Sequence, residues 1–255
     1  MRTLDINSDL GESFGNWRMG NDEKLVPLIT TANMACGFHA GDPWTMVKTV
    51  RLAKEHGIAV GAHPGLPDLL GFGRRPLQIS PEDAYSYILY QASALKGILA
   101  AHGMKLNHVK PHGAMYSVLS KSEELAEAAA EAILQVCDEP LILWPAPLGV
   151  SALPAAAAKR GIPVIPEMYP DLTYAPDGAL IPQRHKGHTD VEAAASQVRL
   201  LITEGCVLAN DGVTKVPLEA DSFCIHGDGP NSADVAAALR RTIEECGCRV
   251  GTVAP

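Results

Sequence analysis

Short, strongly apolar runs alternate with longer alanine-rich stretches along almost the whole chain. Several of the short runs are apolar at nearly every position, which is typical of parallel β-strands that are covered on both faces. The pattern therefore predicts strands at residues 3–7, 30–35, 59–62, 106–109, 141–144, 163–166, 207–209 and 223–225.

The longer stretches carry the start and stop signals of α-helices. Asp42 comes directly before Pro43, which suits the N-cap and first position of a helix, and Gly57 suits its end. Ser80 and Pro81 open the next stretch in the same way. Signals of this kind predict helices at residues 43–56, 81 to about 102, 123–136, 151–160, 191–204 and 233–246.

The order of strand, polar loop, capped helix and closing glycine repeats seven or eight times, which indicates βα units around a parallel sheet. That number favours a (β/α) barrel over an open sheet, and we expect a distorted barrel of about seven strands. Residues 208–218 depart from the pattern, because Asn210, Asp211 and Gly212 predict a hairpin turn. No linker or charge block interrupts the chain, so residues 1–255 are expected to form a single α/β domain.

Composition narrows the classes of function. The 255 residues are 47% hydrophobic with a formal net charge of −8, which allows a large core and argues against a nucleic-acid partner. No run reaches the roughly 18 to 20 apolar residues of a membrane span. Met1 leads directly into a strand without a signal-peptide pattern. We therefore expect a cytoplasmic protein with no membrane partner, whose six cysteines are reduced.

Six polar clusters follow the apolar runs and hold nearly all residues that are capable of chemistry. Sites in β/α folds assemble at the carboxyl ends of parallel strands, so one shared pocket explains these clusters better than polar residues scattered over the surface. An enzyme is therefore the leading interpretation. The clusters are residues 9–12, 33–39, 61–64, 109–113, 167 and 226–228.

The first two clusters supply two acids, a thiol and an imidazole. Strand alternation points Asn7 and Asp9 to the same side, where Asp9 can act as a base or bind a divalent cation. A helix cap or a loop salt bridge is the alternative for this acid, and Glu12 follows it in the same loop. Cys36 suits either a nucleophile or a packed thiol. His39 lies on a glycine-flanked loop and is the stronger candidate.

Two later clusters place imidazoles next to proline and glycine at strand ends, at His63 and His112. Lys110 lies within an apolar run, so its amine must reach solvent, form an ion pair or bind an anionic ligand. An ion pair with Glu167 or Asp9 would still place this lysine in the site.

The remaining candidates have equally good structural alternatives. His226 and Asp228 end the last strand, but a Gly-Asp-Gly sequence also suits a simple turn. Arg74 and Arg75 lie in a long loop, where they suit an anion, a lid, a subunit contact or plain solvated charge. His108 fits an ordinary packing position.

The sequence contains no motif that identifies a cofactor. Three separated imidazoles and an acid are compatible with a divalent cation, but no metal-binding spacing of the His-Glu-x-x-His type is present. No glycine pattern matches a P-loop or a dinucleotide fingerprint. The motifs therefore assign neither a metal nor a nucleotide to this chain.

Several long motifs resemble those of the LamB/YcsF family, in the family's order, between about residue 5 and residue 250. Ungapped motifs of this length are highly specific. The resemblance implies a distorted β/α barrel similar to the glycoside hydrolase/deacetylase fold, in agreement with the strand count. The motifs are DINSDLGESFG (5–15), ANMACGFHAGDP (32–43), GAHPG (61–65), GFGRR (71–75), VKPHGAMY (109–116) and CIHGD (224–228).

For function, the resemblance implies a 5-oxoprolinase, which opens the lactam of 5-oxo-L-proline to L-glutamate and couples this to ATP hydrolysis. ATP would be a co-substrate, bound here or by a partner, and the partners would be the two other 5-oxoprolinase subunits; a homo-oligomer stays open. The expected catalytic residues are Asp9, Glu12, His39, His63, Lys110 and His112. The expected substrate-binding residues are Asn7, Asn33, Arg74, Glu167, Tyr174, His226 and Asp228.

One stretch departs from the family pattern. Where the family usually carries an alanine and an arginine on either side of Asp171, this chain has Pro170 and Leu172. Two other classes of function therefore stay open beside the ATP-dependent lactamase. One is a non-catalytic subunit that binds the substrate, and the other is a metal-dependent hydrolase or deacetylase that acts alone on a carbohydrate or a cyclic amide.

Overall fold

A closed ring of parallel strands forms the centre of the computed structural model, which describes residues 1–147, 151–181 and 187–252. Seven strands surround the barrel axis, and five short ones lie outside it. In chain order the strands are β1 (Thr3–Leu10), β2 (Thr31–Ala35), β3 (Ala59–His63), β4 (Leu106–Val109), β5 (Ile142–Pro145), β6 (Val164–Met168), β7 (Thr173–Tyr174), β8 (Leu180–Ile181), β9 (Cys206–Leu208), β10 (Lys215–Pro217), β11 (Ser222–His226) and β12 (Arg249–Val250).

Strands β1 to β6 pair in sequence order, and β11 pairs with both β6 and β1, so the ring closes. All seven neighbouring pairs are parallel. The expected barrel of about seven strands is therefore confirmed. Strand β12 adds to the outer edge of β1 opposite Thr3 and Leu4.

Helices cover the outside of the barrel, as the capping signals predicted. Asp42 accepts a hydrogen bond from the Thr45 amide (2.7 Å), and Gly57 ends the same helix at φ 67°. The helices are α1 (Asp22–Leu25), α2 (Pro43–His56), α3 (Pro81–Ala101), α4 (Gly113–Lys121), α5 (Glu123–Val136), α6 (Ala152–Lys159), α7 (Val191–Glu204) and α8 (Ser232–Glu245).

The hairpin predicted within residues 208–218 is confirmed, because β9 and β10 pair antiparallel with each other. The strand predicted at 207–209 therefore lies in this hairpin rather than in the barrel. Asp211 accepts hydrogen bonds from the amides of Val213 (3.0 Å) and Thr214 (2.9 Å), as an Asx turn does. Helix α4 was not predicted, because its start at Gly113 lacks a side-chain cap.

Strand β1 shows how the barrel divides apolar from polar residues. Leu4, Ile6 and Leu10 are fully buried in the hydrophobic core between the sheet and the helices. Asp5, which alternates with them, is buried too, but its carboxylate accepts hydrogen bonds from Thr31 (2.6 Å) and other hydroxyls. Among the described residues, no helix has both the length and the apolar character needed to cross a bilayer.

We predict that Gly61→Ala destabilises the barrel whereas Gly97→Ala stabilises it. A Cβ at Gly61, in β3, would collide with the His108 ring on β4, while Gly97 lies on the exposed side of α3 with open space around it. Overpacking costs about 1–3 kcal/mol, and replacing a helical glycine with alanine gains about 0.5–1 kcal/mol. Urea unfolding of both variants checks the opposite signs, and equal shifts would contradict the packing described here.

Candidate active site

The register of the central strands brings three polar residues together at the carboxyl end of the barrel. Asp9 of β1 lies opposite Asn33 of β2 and His226 of β11. The Asn33 amide donates to Asn7 Oδ1 (2.6 Å) and to Asp9 Oδ1 (2.8 Å). The predicted alternation of Asn7 and Asp9 therefore places both side chains inside the barrel.

Lys110 supplies the positive charge of this interior. Its Nζ lies 3.2 Å from Asp9 Oδ1, 3.3 Å from Glu167 Oε1 and 2.9 Å from Cys224 Sγ. Burial alone would lower the pKa of this ammonium, but Asp9, Cys224 and Glu167 raise it well above its usual value. The sequence left three possibilities for this lysine, namely contact with solvent, an ion pair or an anionic ligand. The structure shows a buried ion pair. The Tyr169 ring, 5.3 Å from Nζ, adds a cation–π contact.

The two acids beside Lys110 have different further partners. Burial opposes ionisation of Asp9, but the charges of His63 and Lys110 hold its pKa well below the usual value. Glu167 accepts hydrogen bonds from the Asn7 amide (3.1 Å) and from the Tyr169 hydroxyl. Both carboxylates are therefore held in place by several donors, as buried charges require.

Three imidazoles form a second layer next to these acids. His63 Nδ1 lies 2.6 Å from the Lys110 carbonyl oxygen, and His63 Nε2 lies 2.9 Å from His112 Nδ1. The His39 and His112 rings stack with centroids 3.7 Å apart and an interplanar angle of 4°. Burial, followed by the neighbouring imidazoles, lowers the pKa of both His39 and His112 well below the usual value.

Glu12 completes this layer from the loop after β1. Its side chain is buried, and Oε1 lies 3.8 Å from His39 Nε2. Burial and the nearby charges of Asp9 and Asp228 raise its pKa well above the usual value. Unlike Asp9, Glu12 makes no side-chain hydrogen bond within the described residues, so one carboxyl group of the site is free to act on a ligand.

The loop after β3 covers the imidazoles. Phe72 has φ 53°, a left-handed conformation that costs a non-glycine residue about 1–2 kcal/mol. In this conformation the Phe72 carbonyl oxygen accepts a hydrogen bond from His112 Nε2 (2.8 Å), and the Phe72 ring packs edge-on against His39. Arg74 lies over the Phe72 ring at 4.8 Å. Backbone strain of this kind concentrates at functional sites.

Arg74, His226 and Asp228 form the rim of the site. Their side chains are 27%, 16% and 13% exposed, whereas the groups beneath them are almost fully buried. Arg74 Nη2 lies 3.5 Å from Asp228 Oδ2, and Asp171 Oδ2 lies 3.0 Å from His226 Nδ1. A ligand that approaches from solvent therefore meets both signs of charge at this rim.

Tyr174 and Leu172 support the site by contacting Tyr169, the residue whose ring covers Lys110. The Tyr174 hydroxyl accepts a hydrogen bond from the Tyr169 amide (2.9 Å), so it supports the ring that covers Lys110. Leu172 packs in a small apolar cluster with Tyr169 and Cys224. The position that departs from the family pattern therefore adjoins the polar interior.

Two residues of the site, His108 and Cys224, were not predicted from the sequence, and the role of Cys36 was left undecided. His108, expected to be ordinary packing, is fully buried and its Nε2 donates to Asn33 Oδ1 (2.7 Å), and burial lowers its pKa to about 3. Cys224 touches Lys110, yet its place within an apolar strand gave no signal. Cys36 is a packed thiol, since burial raises its pKa to about 12.

Comparison with known proteins agrees with the fold and the motifs. Residues 4–255 match the model of the LamB/YcsF family. The A component of 5-oxoprolinase from Symbiobacterium thermophilum is 47% identical over 253 residues, which cover 98% of this chain and 95% of that protein. The crystal structure of a lactam utilization protein from Thermus thermophilus is 41% identical with a TM-score of 0.88, covering 98% of this chain and 100% of that one.

A more distant likeness concerns the fold alone. A family 4 carbohydrate esterase from Streptomyces lividans superimposes with a TM-score of 0.50 at 14% identity, over 100% of this chain and 94% of that one. The barrel of this chain is thus of the deacetylase-like type that the motifs implied.

We predict that Lys110→Met destabilises the protein by about 3–5 kcal/mol, because two buried carboxylates lose their counter-charge. Adding Asp9→Asn to Lys110→Met should recover part of that loss, since one of the uncompensated charges disappears. Lys96→Met is the matched control, because Lys96 pairs with the exposed Asp138 and such pairs contribute about 0–1 kcal/mol. Chemical denaturation of Lys110→Met, Asp9→Asn, the double variant and Lys96→Met measures the coupling, and strictly additive losses would refute the ion pair.

Proposed function

Because the chain belongs to the LamB/YcsF family, we propose that it is the A component of a 5-oxoprolinase and that it opens the lactam of 5-oxo-L-proline to L-glutamate. In this proposal ATP is a co-substrate, and two further subunits complete the enzyme. The substrate class is supported by the names of two similar proteins, the 5-oxoprolinase component from Symbiobacterium and the lactam utilization protein from Thermus.

The observation that carries the proposal is the convergence of acids, imidazoles and an amine at one end of the barrel. Asp9 and Glu12 share one stretch of the chain while His63 and Lys110 come from two others, yet all four lie in two contacting layers. Such a set can move protons and stabilise charge, which hydrolysis of an amide requires. A protein that only presented its substrate to a partner would not need this many buried ionisable groups.

A lactam is a poor electrophile, so the reaction needs activation of its carbonyl group. Transfer of the terminal phosphoryl group of ATP to the carbonyl oxygen would provide it and leave ADP. Water then adds to the carbon, the ring C–N bond breaks with a proton going to nitrogen, and a glutamyl phosphate remains. A second water molecule releases phosphate and glutamate, which balances the reaction.

The contacts suggest how the residues divide this work. Asp9 is engaged by Lys110 and Asn33, so its role is to position neighbouring groups, whereas Glu12 is free to take a proton from water. His39 lies beside Glu12, and its ring N–H, which has no other partner among the described residues, can donate to the oxygen that becomes negative. Arg74 at the rim suits the carboxylate of the substrate or a phosphate.

Asn7, Asn33 and Glu167 form the floor on which this arrangement rests. Their side chains are fully buried and bonded to one another or to Lys110. We therefore propose that they fix the site's geometry, while His226 and Asp228, with Arg74, select the ligand at the rim.

We predict that glutamate forms from 5-oxoproline only when this chain, both partner subunits and ATP are present together. Glu12→Gln should lower kcat by about 10²- to 10⁴-fold, the usual contribution of a general base. Glu139→Gln, on the 85% exposed side chain of Glu139, is the matched control and should not change the rate. A coupled glutamate assay measures both variants.

The same assay separates the other two functions. Turnover by the isolated chain that a chelator abolishes would replace the proposal with a metal-dependent hydrolase acting alone. Binding of 5-oxoproline without turnover in the complete mixture would replace it with a non-catalytic protein that only binds the substrate, whereas full activity of Glu12→Gln would remove Glu12 as the base.

A further inference from the structure

Two imidazole nitrogens in the second layer face each other at hydrogen-bond distance. His63 Nδ1 lies 2.6 Å from the carbonyl oxygen of Lys110, and His112 Nε2 lies 2.8 Å from that of Phe72. A carbonyl oxygen can only accept, so each neutral ring carries its proton on the nitrogen that faces the carbonyl. In neutral rings His63 Nε2 and His112 Nδ1, 2.9 Å apart, are both left with lone pairs, and His63 Nε2 also lies 3.5 Å from Asp9 Oδ2.

A third imidazole next to this pair has no hydrogen-bond partner. His39 is 1% exposed, and neither of its ring nitrogens forms a hydrogen bond within the described residues. Buried polar atoms without a partner are rare, and each one calls for an explanation. One ring nitrogen from each of His39, His63 and His112 and one Glu12 oxygen all lie within 4.8 Å of one another.

We propose that His39, His63 and His112 bind one transition-metal ion of the Zn²⁺ class, with Glu12 at its open side. Neutral imidazole is a preferred ligand of Zn²⁺, Co²⁺ and Ni²⁺. Two nitrogens bound at about 2.1 Å to one tetrahedral ion would be about 3.4 Å apart, so the two nitrogens found 2.9 Å apart would separate by about half an ångström on binding.

The surroundings of the histidines match those of metal ligands. A ligating histidine usually donates its second N–H to a carbonyl or carboxylate, which fixes the tautomer and the ring orientation. His63 and His112 both do so, through Lys110 and Phe72. The left-handed backbone conformation of Phe72 is explained in the same way, because it turns the Phe72 carbonyl toward His112.

A proton between His63 and His112 is the competing explanation. A shared proton would remove the repulsion between the two lone pairs, but both nitrogens of His39 would still have no partner among the described residues. One metal ion would bind a nitrogen of all three rings. The second group with metal-binding atoms, Asp9, Cys224 and His226, needs no such ion, because the Lys110 ammonium already lies against Asp9 and Cys224.

The inference deepens the proposed function and rests on it for its catalytic meaning. Bound metal would act as a Lewis acid beside Glu12. Metal binding is measured on this chain alone, whereas lactam opening is measured on the complete enzyme, so either result can fail while the other holds.

We predict that the full chain, stripped with a strong chelator, binds one equivalent of Zn²⁺ or Co²⁺, and that Co²⁺ produces ligand-field absorption bands. His39→Asn and His112→Asn should each weaken binding at least about 100-fold, because each removes a ligand. His102→Asn is the matched control, since His102 lies at the end of α3 and bonds the Ile98 carbonyl. Calorimetric titration gives stoichiometry and affinity.

A measurement on the unmodified chain covers the case in which these variants fail to fold. With ¹⁵N-labelled histidine, Zn²⁺ should shift the ring nitrogens of three of the nine histidines. No one-to-one binding by the wild-type chain, shifts at other histidines, or unchanged affinity in folded His39→Asn and His112→Asn would overturn the proposal in favour of the shared proton.

Discussion

Inside the barrel, the ammonium group of Lys110 lies between the carboxylates of Asp9 and Glu167, in a volume with almost no solvent exposure. Isolated charges in such a place would neutralise rather than stay ionised. The ammonium group and the two carboxylates therefore compensate one another's charge. Asn7 and Asn33 add amide hydrogen bonds, which hold the two acids at fixed positions around the lysine.

This arrangement explains why a protein keeps polar residues in the centre of its sheet. A buried ion pair contributes little net stability compared with well-packed apolar residues, so stability comes from the outer face of the barrel. There Leu4, Ile6 and Leu10 pack against the helices. The alternation of β1 lets one strand serve both needs, with apolar side chains outward and the site inward.

Most of the fold was predictable because its signals are local. The cap at Asp42 and the glycine at Gly57 give the bounds of α2 correctly, and apolar runs mark all seven barrel strands. The strand order and the closure of the ring depend on contacts between distant parts of the chain, such as Asp5 opposite Ser222, to which the strand count only points. The hairpin at 206–217 was identified by its turn, but its exclusion from the barrel was not visible in a three-residue apolar run.

The candidate site was predictable as a set of positions but not as a network. Strand ends located the acids and imidazoles, because parallel strands direct their carboxyl ends to one rim. Which atoms meet depends on register and side-chain direction. His108 was therefore assigned to packing although it donates to Asn33, and Cys224 passed as an apolar strand residue although it contacts Lys110.

Lys110 also joins the two layers of the site through separate atoms. Its side chain forms ion pairs with Asp9 and Glu167, while its backbone carbonyl accepts a hydrogen bond from His63 Nδ1 and so determines which nitrogen of that ring faces His112. Because the carbonyl belongs to the backbone, replacing the side chain disturbs the acids and leaves the imidazole tautomer in place. Lys110 thus positions the acid layer with its side chain and the imidazole layer with its backbone, and the 3.5 Å contact between His63 and Asp9 joins the two layers directly.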